Sequence, residues 1–111
     1  MIEINIDLKT RPEKQTEFLI TLDQLLSDLR REEGNIQYRY HQDDDDVTQI
    51  HLHAQWQTWE NLESHLRGNF FSILMGAIRV LCEKPEVRID NGSGDLEADT
   101  VRNKLNESGE K

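Results

Sequence analysis

The stretch 36-IQYRYHQDDDDVTQIHLHAQW-56 holds two segments of alternating apolar and polar residues around four consecutive aspartates. The apolar positions are Ile36, Tyr38 and Tyr40 in the first segment and Ile50, Leu52, Ala54 and Trp56 in the second, roughly residues 48–56. A period of two indicates half-buried strands. Adjacent carboxylates repel one another, so residues 43–46 form the tip of a hairpin loop. Four carboxylates could also hold Ca²⁺, but the spaced ligands and glycine of a calcium loop are missing, which favours a solvated loop.

The segments before this hairpin predict a strand and a helix. Residues 2–8, IEINIDL, alternate strictly and form a half-buried strand. Pro12 suits a first helical turn, and Gly34 is a plausible stop. The stripe between them has helical spacing and comprises Phe18, Leu22, Leu25, Leu26 and Leu29.

The segments after the hairpin predict two further helical pieces and a strand. Thr58 is placed to cap a helix, and Gly68 breaks or bends it. The apolar segment NFFSILMGAIRVLCEK follows, Pro85 ends it, and residues 85–90 form a short last strand. We expect one domain over residues 1–90. Residues 91–111 have little to bury and form a tail, with one short helix and a disordered end.

This order of elements is that of a ferredoxin-like α+β fold, with a four-stranded antiparallel sheet and helices on one side. The first and third strands are then neighbours, and the uncovered face is polar. On that face His51 and His53 lie beside Glu3, Asn5 and Asp7. A cross-strand hydrogen-bond network is the favoured interpretation. A metal site is the alternative, and the nearby arginines disfavour it.

Composition excludes several classes of protein. The chain has 111 residues and a formal net charge of −9, which argues against binding nucleic acid or anionic membrane surfaces. Its one cysteine, Cys82, cannot form an internal disulfide. No apolar run is long enough to span a bilayer, and no signal peptide is evident. We therefore expect a cytoplasmic protein.

Over residues 1–90 the sequence resembles the antibiotic biosynthesis monooxygenase domain family. The resemblance is carried by four segments in order: IEINIDLKTRPEKQTEFL, REEGNIQYRYHQDDDD, AQWQTWENLESHL and FSILMGAIRVLCEKPEVRI. It implies a homodimer in which two sheets form a dimeric α+β barrel. The junction between subunits would be lined by Glu3, Asp7, Arg39, His51 and His53.

The resemblance also implies a cavity between sheet and helices, in which some members oxidise quinols or phenols with O₂ and without a flavin, metal or other cofactor. Trp56 and His65 align with family motif positions and become the catalytic candidates, with His65 as the base. Tyr38, Tyr40 and Phe71 would bind a small aromatic or quinol-like ligand. For residues such as Trp56, Trp59 and His65 a purely structural role in the core is more common than a catalytic one. A non-catalytic small-molecule-binding or stress-response dimer is the alternative function.

Two departures from the family pattern bear on the activity. Phe70 stands where many members have a second histidine, which weakens the case for oxygenase activity. The haem-cleaving members need a histidine in the last helix, and residues 70–84 contain none. Haem degradation is therefore disfavoured.

Overall fold

The computed structural model describes residues 1–90; the predicted tail lies outside them. The strands are β1 (Ile2–Lys9), β2 (Asn35–Gln42), β3 (Gln49–Trp56) and β4 (Glu86–Asp90). The helices are α1 (Gln15–Arg30), preceded by a 3-10 turn at Pro12–Lys14, then α2 (Trp59–Leu66) and α3 (Asn69–Leu81). The antiparallel sheet has the order β2-β3-β1-β4. The ferredoxin-like fold and the pairing of the first and third strands are confirmed.

One face of the sheet and the apolar sides of the helices form the core. All five predicted residues of the α1 stripe are buried. The alternate residues of β1, from Ile2 to Leu8, are buried, and so are Ile50, Leu52, Ala54 and Trp56 of β3. Trp59 is partly buried and packs against this core. Because strand side chains alternate between faces, every other residue of β3 points away from the helices.

The helix boundaries follow the predicted signals. The Thr58 hydroxyl accepts a hydrogen bond from the Asn61 N–H at 3.1 Å, which caps α2. Gly68 is the N-cap of α3. Gly34 has a φ of 82°, a left-handed conformation in which other residues are strained. A Cβ on Gly34 would lie 2.1 Å from Asn61 Cγ, so this turn needs glycine for space as well.

Ile36 departs from the predicted alternation. Asn35 lies opposite Trp56 and Gln37 lies opposite Gln55, which leaves Ile36 as the extra residue of a β-bulge. Its side chain is 48% exposed instead of facing the helices with Tyr38. After the bulge, β2 pairs regularly with β3 from Gln37 onward, and Tyr38 faces the helices.

The acidic hairpin loop is closed by its own carboxylates. Asp43 Oδ2 accepts from the Asp45 and Asp46 N–H groups at 3.2 and 3.1 Å. Asp46 Oδ1 accepts from the Thr48 hydroxyl at 2.6 Å and from the Thr48 N–H at 3.0 Å, and these two bonds lower the pKa of the Asp46 carboxyl. Two of the four aspartates are therefore used to hold the turn.

Candidate functional site

Four side chains from four different elements meet between the sheet and the helices. Tyr38 comes from β2, Trp56 from the end of β3, His65 from α2 and Phe71 from α3. Their exposed fractions are 2%, 0%, 2% and 1%. We call these four residues the aromatic cluster. The family resemblance grouped these four residues with Tyr40, and the fold brings the four together.

His65 is the centre of the aromatic cluster. Its ring stacks on Trp56 with centroids 4.5 Å apart and an interplanar angle of 27°. Phe71 and Tyr38 contact it edge-on, with centroid distances of 4.8 and 5.5 Å. Aromatic neighbours on three sides fix the orientation of the imidazole and separate it from bulk water.

A hydrogen-bond chain runs through the imidazole. His65 Nδ1 lies 2.5 Å from Glu32 Oε1, and His65 Nε2 lies 3.3 Å from the Tyr38 hydroxyl. An ionised carboxylate can only accept, so Nδ1 carries the proton and donates it to Glu32. Nε2 then presents a lone pair, to which the Tyr38 hydroxyl donates. An imidazole that is oriented by a carboxylate and has a basic nitrogen, here bonded to a displaceable hydroxyl, is an arrangement that suits a general base.

Glu32 lies against the start of α3, and the surroundings favour a neutral phenol at Tyr38. Glu32 Oε2 is so close to Gly68 that a Cβ there would lie 3.3 Å from it. Gly68 is the N-cap of α3, where the helix dipole favours negative charge. Burial, and to a lesser degree the Glu32 charge, raise the pKa of Tyr38. The Tyr38 phenol is therefore a proton donor to His65.

One polar group of the aromatic cluster is unused. Trp56 Nε1 is buried, and within residues 1–90 it has no hydrogen-bond partner. A buried donor without an acceptor costs about 1–3 kcal/mol. The indole N–H is thus a donor that the described residues leave unpaired.

Tyr40 lies apart from the cluster. It is partly buried, and its hydroxyl donates to Asp23 Oδ1 of α1 at 2.8 Å. Burial, followed by the bond to Asp23 and the charge of that carboxylate, raises the pKa of Tyr40. Phe70 is also partly buried and packs against the core. Of the three predicted ligand-binding residues, Tyr38 and Phe71 contact His65, whereas Tyr40 ties β2 to α1.

Sequence reasoning missed Glu32. It lies in the turn after α1, 33 positions before His65, and no motif spacing connects the two. The available signals for this contact were two glycines. Gly34 has the φ that fixes the turn after α1, and Gly68 marks the break before α3. Both mark places where the backbone passes close to other parts of the chain.

The histidines of the opposite face pair with carboxylates as predicted. His51 Nδ1 donates to Asp7 Oδ1 at 2.6 Å, and His53 Nε2 approaches Glu3 Oε1 at 3.5 Å. Arg88 also donates to Asp7, at 3.2 Å. Within residues 1–90 no group of three or more histidine, cysteine or acidic side chains is arranged to hold a metal. In the same part of the chain, no helix is long and apolar enough to cross a membrane.

Comparisons with known proteins agree with the resemblance. The family model for antibiotic biosynthesis monooxygenases matches residues 1–72. No curated protein matches the sequence. Among solved structures, a conserved protein from Methanosarcina mazei Go1 is 22% identical with a TM-score of 0.76, over 80% of this chain and 89% of its own.

Two further structures share the fold. A variant of SnoaB, a cofactor-independent oxygenase from Streptomyces nogalater, has a TM-score of 0.74 at 15% identity, over 86% of this chain and 95% of its own. The protein Rv0793 from Mycobacterium tuberculosis has a TM-score of 0.76 at 14% identity, over 86% and 97%. At such identities these likenesses establish the architecture and leave the reaction open.

Proposed function

Because this chain belongs to the antibiotic biosynthesis monooxygenase family, we propose that it is a cofactor-independent monooxygenase that oxidises a small quinol or phenol with O₂. The observation that carries the proposal is the buried chain from Glu32 through His65 to Tyr38. It places an oriented imidazole base among aromatic side chains. A planar, acidic substrate needs a base for its proton and aromatic side chains against its ring.

The hydrogen bond between Tyr38 and His65 is the weaker link of the chain. The Tyr38–His65 contact of 3.3 Å is long for a hydrogen bond to a hydroxyl, whereas the Glu32–His65 contact of 2.5 Å is short. In our proposal the substrate hydroxyl displaces Tyr38 from His65 Nε2. The substrate ring then packs against Trp56 and Phe71, and an oxygen of the substrate accepts a hydrogen bond from the unpaired Trp56 Nε1–H.

The proposed reaction needs only these residues and O₂. His65 Nε2 takes the hydroxyl proton, and Glu32 stabilises the resulting imidazolium. The phenolate passes an electron to O₂, and the two radicals combine to form a C–O bond. The peroxide loses water to leave a carbonyl. Overall, a phenol and O₂ give a quinone and water, and each product receives one of the two atoms of O₂.

The test is oxygen uptake with a panel of phenols, naphthols and hydroquinones, with ¹⁸O₂ to locate the label. We expect one ¹⁸O in the organic product. His65→Gln should lower the rate by about 10²–10⁴-fold, the usual contribution of a general base. Trp59→Phe is the matched control for Trp56→Phe, because Trp59 packs outside the aromatic cluster. Absence of substrate-dependent uptake, or full activity in His65→Gln, would contradict the proposal.

Tyr38→Phe separates displacement from proton relay. If substrate displaces the Tyr38 hydroxyl, the phenylalanine variant keeps its activity, because Nε2 is freed. If Tyr38 relays the proton, the variant loses activity as His65→Gln does. We expect activity to be kept.

A second candidate function is non-catalytic binding of the same ligand class. The observation that favours it is the tight packing of the aromatic cluster, with all four side chains almost fully buried. This function predicts saturable quenching of tryptophan fluorescence by quinols without any oxygen uptake.

We also propose that the protein is a homodimer. On the sheet face opposite the helices Asp7 pairs with His51 and Arg88, and Glu3 pairs with His53, and a second sheet could continue this network. Light scattering should give twice the chain mass. A monomer at high micromolar concentration would refute the dimer without affecting the oxygenase proposal.

A further inference from the structure

The side of α3 that faces away from the core is apolar. Ile73 and Val80 are 52% and 64% exposed, and Gly76 lies between them, so the three residues share one face of the helix. We call these three residues the outer strip. The only charged residue of α3 is Arg79. A helix that is apolar on all sides is normally covered on all sides, and the proposed dimer leaves the outer strip open because it uses the sheet face opposite the helices.

Ile20 of α1 is exposed to a similar degree but stands alone. Its exposed fraction is 55%, and its neighbours one turn away on the surface of α1 are Glu17, Asp23 and Gln24. Isolated apolar side chains are ordinary on protein surfaces, whereas contiguous ones mark a contact. The outer strip is contiguous, and we therefore expect a segment to cover it.

Gly76 leaves a gap at the centre of the outer strip. Outside its own stretch of helix, no atom of residues 1–90 lies within 4 Å of a Cβ added to Gly76. Glycine destabilises the interior of a helix relative to alanine, and its advantage is that another segment can approach closely. The gap is open to a side chain that comes from outside α3.

The described part of the chain ends beside the start of α3. Asp90 lies opposite Glu3, near the Trp56 end of the sheet. Trp56 belongs to the aromatic cluster, whose Phe71 lies in the first turn of α3. The last turn of α3 lies at the far end of β1. A chain that turns back after Asp90 therefore meets the start of α3 first and can run along it.

The sequence after residue 90 contains a matching apolar stripe. Residues 91–94, NGSG, favour a turn and can span roughly 13 Å, more than the about 8–10 Å between packed helices. Ala98, Val101 and Leu105 follow at i, i+3 and i+7, which predicts one apolar helix face. The outer strip has the same spacing. Within residues 95–106 the acidic side chains come before the basic ones, as the helix dipole favours. A helix of this length is about 18 Å long, and α3 is about 20 Å long.

We propose that residues 95–106 pack as a helix along the outer strip of the same chain, parallel to α3. The contacts are Ala98 with Ile73, Val101 with Gly76 and Leu105 with Val80. The short connection to β4 keeps the effective concentration of the segment high, so a small apolar contact is sufficient. This packing depends neither on the proposed oxidation nor on the dimer.

Trypsin digestion of the full chain tests the proposal, because Arg102 and Lys104 are cleavage sites within the segment. Packing on α3 protects both sites, and cleavage then follows the fraction of molecules in which the segment is detached. We expect the double variant Ile73→Gln, Val80→Gln to be cleaved at these sites about tenfold or more faster than the wild type. Mass spectrometry of the products measures the rate at each site. The two substitutions change neither the net charge nor the sequence around the sites.

Two further variants separate the effect of the gap from that of surface polarity. Gly76→Leu fills the space that Val101 occupies in our proposal, so cleavage should accelerate even though leucine is the better helix former. Ile20→Gln is the matched control, because it removes an apolar side chain of similar exposure from another helix. It should be cleaved at the wild-type rate. Circular dichroism of each variant confirms that the fold is intact.

A disulfide tests the direction of the segment. Val80→Cys with Leu105→Cys should form a disulfide within one chain under mild oxidation, whereas Ile20→Cys with Leu105→Cys should not. The native Cys82 is buried, and peptide mapping identifies the bonded pair. A disulfide between two chains would place the segment on a second copy and would overturn the proposal.

Equal cleavage rates in the wild type and the double variant would also overturn it. If a second copy covered the outer strip instead, the double variant would have a lower mass by light scattering than the wild type. Its cleavage at Arg102 and Lys104 would then be unchanged, which contradicts packing of the segment on α3.

Discussion

Glu32→Gln keeps an oxygen acceptor for His65 Nδ1–H but removes the negative charge beside the ring. Hydrogen bonds to charged groups contribute roughly 1.5–3 kcal/mol and neutral ones about 0.5–1.5 kcal/mol. We therefore expect Glu32→Gln to lower the free energy of unfolding by about 1 kcal/mol. The Glu32 side chain is only 19% exposed and that of His65 is 0% exposed. Water therefore cannot easily compensate for the lost interaction between the charge and the His65 ring.

Glu32→Ala removes the acceptor as well. His65 Nδ1–H is then buried without a partner, and the expected loss is about 2–3 kcal/mol. For a domain of this size 1 kcal/mol corresponds to roughly 4–8 °C in melting temperature. Urea denaturation at neutral pH measures both losses, provided that the m-value is unchanged.

The neighbouring Glu33 supplies the control. It is exposed, so Glu33→Ala should change stability by less than about 0.5 kcal/mol. Equal losses for Glu32→Gln and Glu32→Ala, or losses no larger than in Glu33→Ala, would refute the buried hydrogen-bond chain. A double-mutant cycle with Tyr38→Phe then measures whether the two ends of the chain are coupled through His65.

Three further outcomes follow from other parts of the structure. Burial raises the pKa of Tyr38 above 10.0, so the neutral phenol contributes fully to stability below about pH 10 and this contribution is lost as pH rises. Between about pH 9 and 11 the free energy of unfolding of Tyr38→Phe should therefore fall less than that of the wild type. Parallel plots of the two free energies against pH would contradict this. Burial, opposed by Arg11, raises the pKa of the Cys82 thiol to about 11, so a disulfide reagent at neutral pH should react slowly until denaturant is added. Gly34→Ala should cost about 2 kcal/mol or more from its backbone conformation and the contact with Asn61. Asn61→Ala in that background should recover only part of the cost of the contact, because Asn61 Cβ, 2.5 Å from the added Cβ, remains; full recovery would refute the backbone contribution.

The fold was predictable because local patterns and long-range pairing agree. Alternation in β1 and β3 and the α1 stripe each required one buried side, and one arrangement of helices over the sheet satisfies all three. The alternation of side chains along β3 also separated its residues correctly, with Trp56 toward the helices and His51 and His53 toward the polar face. Ile36 was misassigned because a bulge depends on pairing with a partner strand, which a single segment does not encode.

The candidate site was only partly predictable. His65 and Trp56 were found through the family motif, and Tyr38 and Phe71 through their place in the fold. Glu32 was not found, because its contact with His65 depends on how the turn after α1 meets α2. The separation of Tyr40 from the cluster depends in the same way on Asp23, a partner from another element.

The two-sided use of β3 constrains how this protein can change. Substitutions at Leu52 or Trp56 can alter one side of the sheet while the histidine side keeps its residues, so the two surfaces can diversify independently. Insertion or deletion of one residue within β3 would exchange them, placing His51 and His53 in the core. A mutational library that varies one surface by substitution can therefore leave the other intact, whereas variants that change the length of β3 by one residue disturb both.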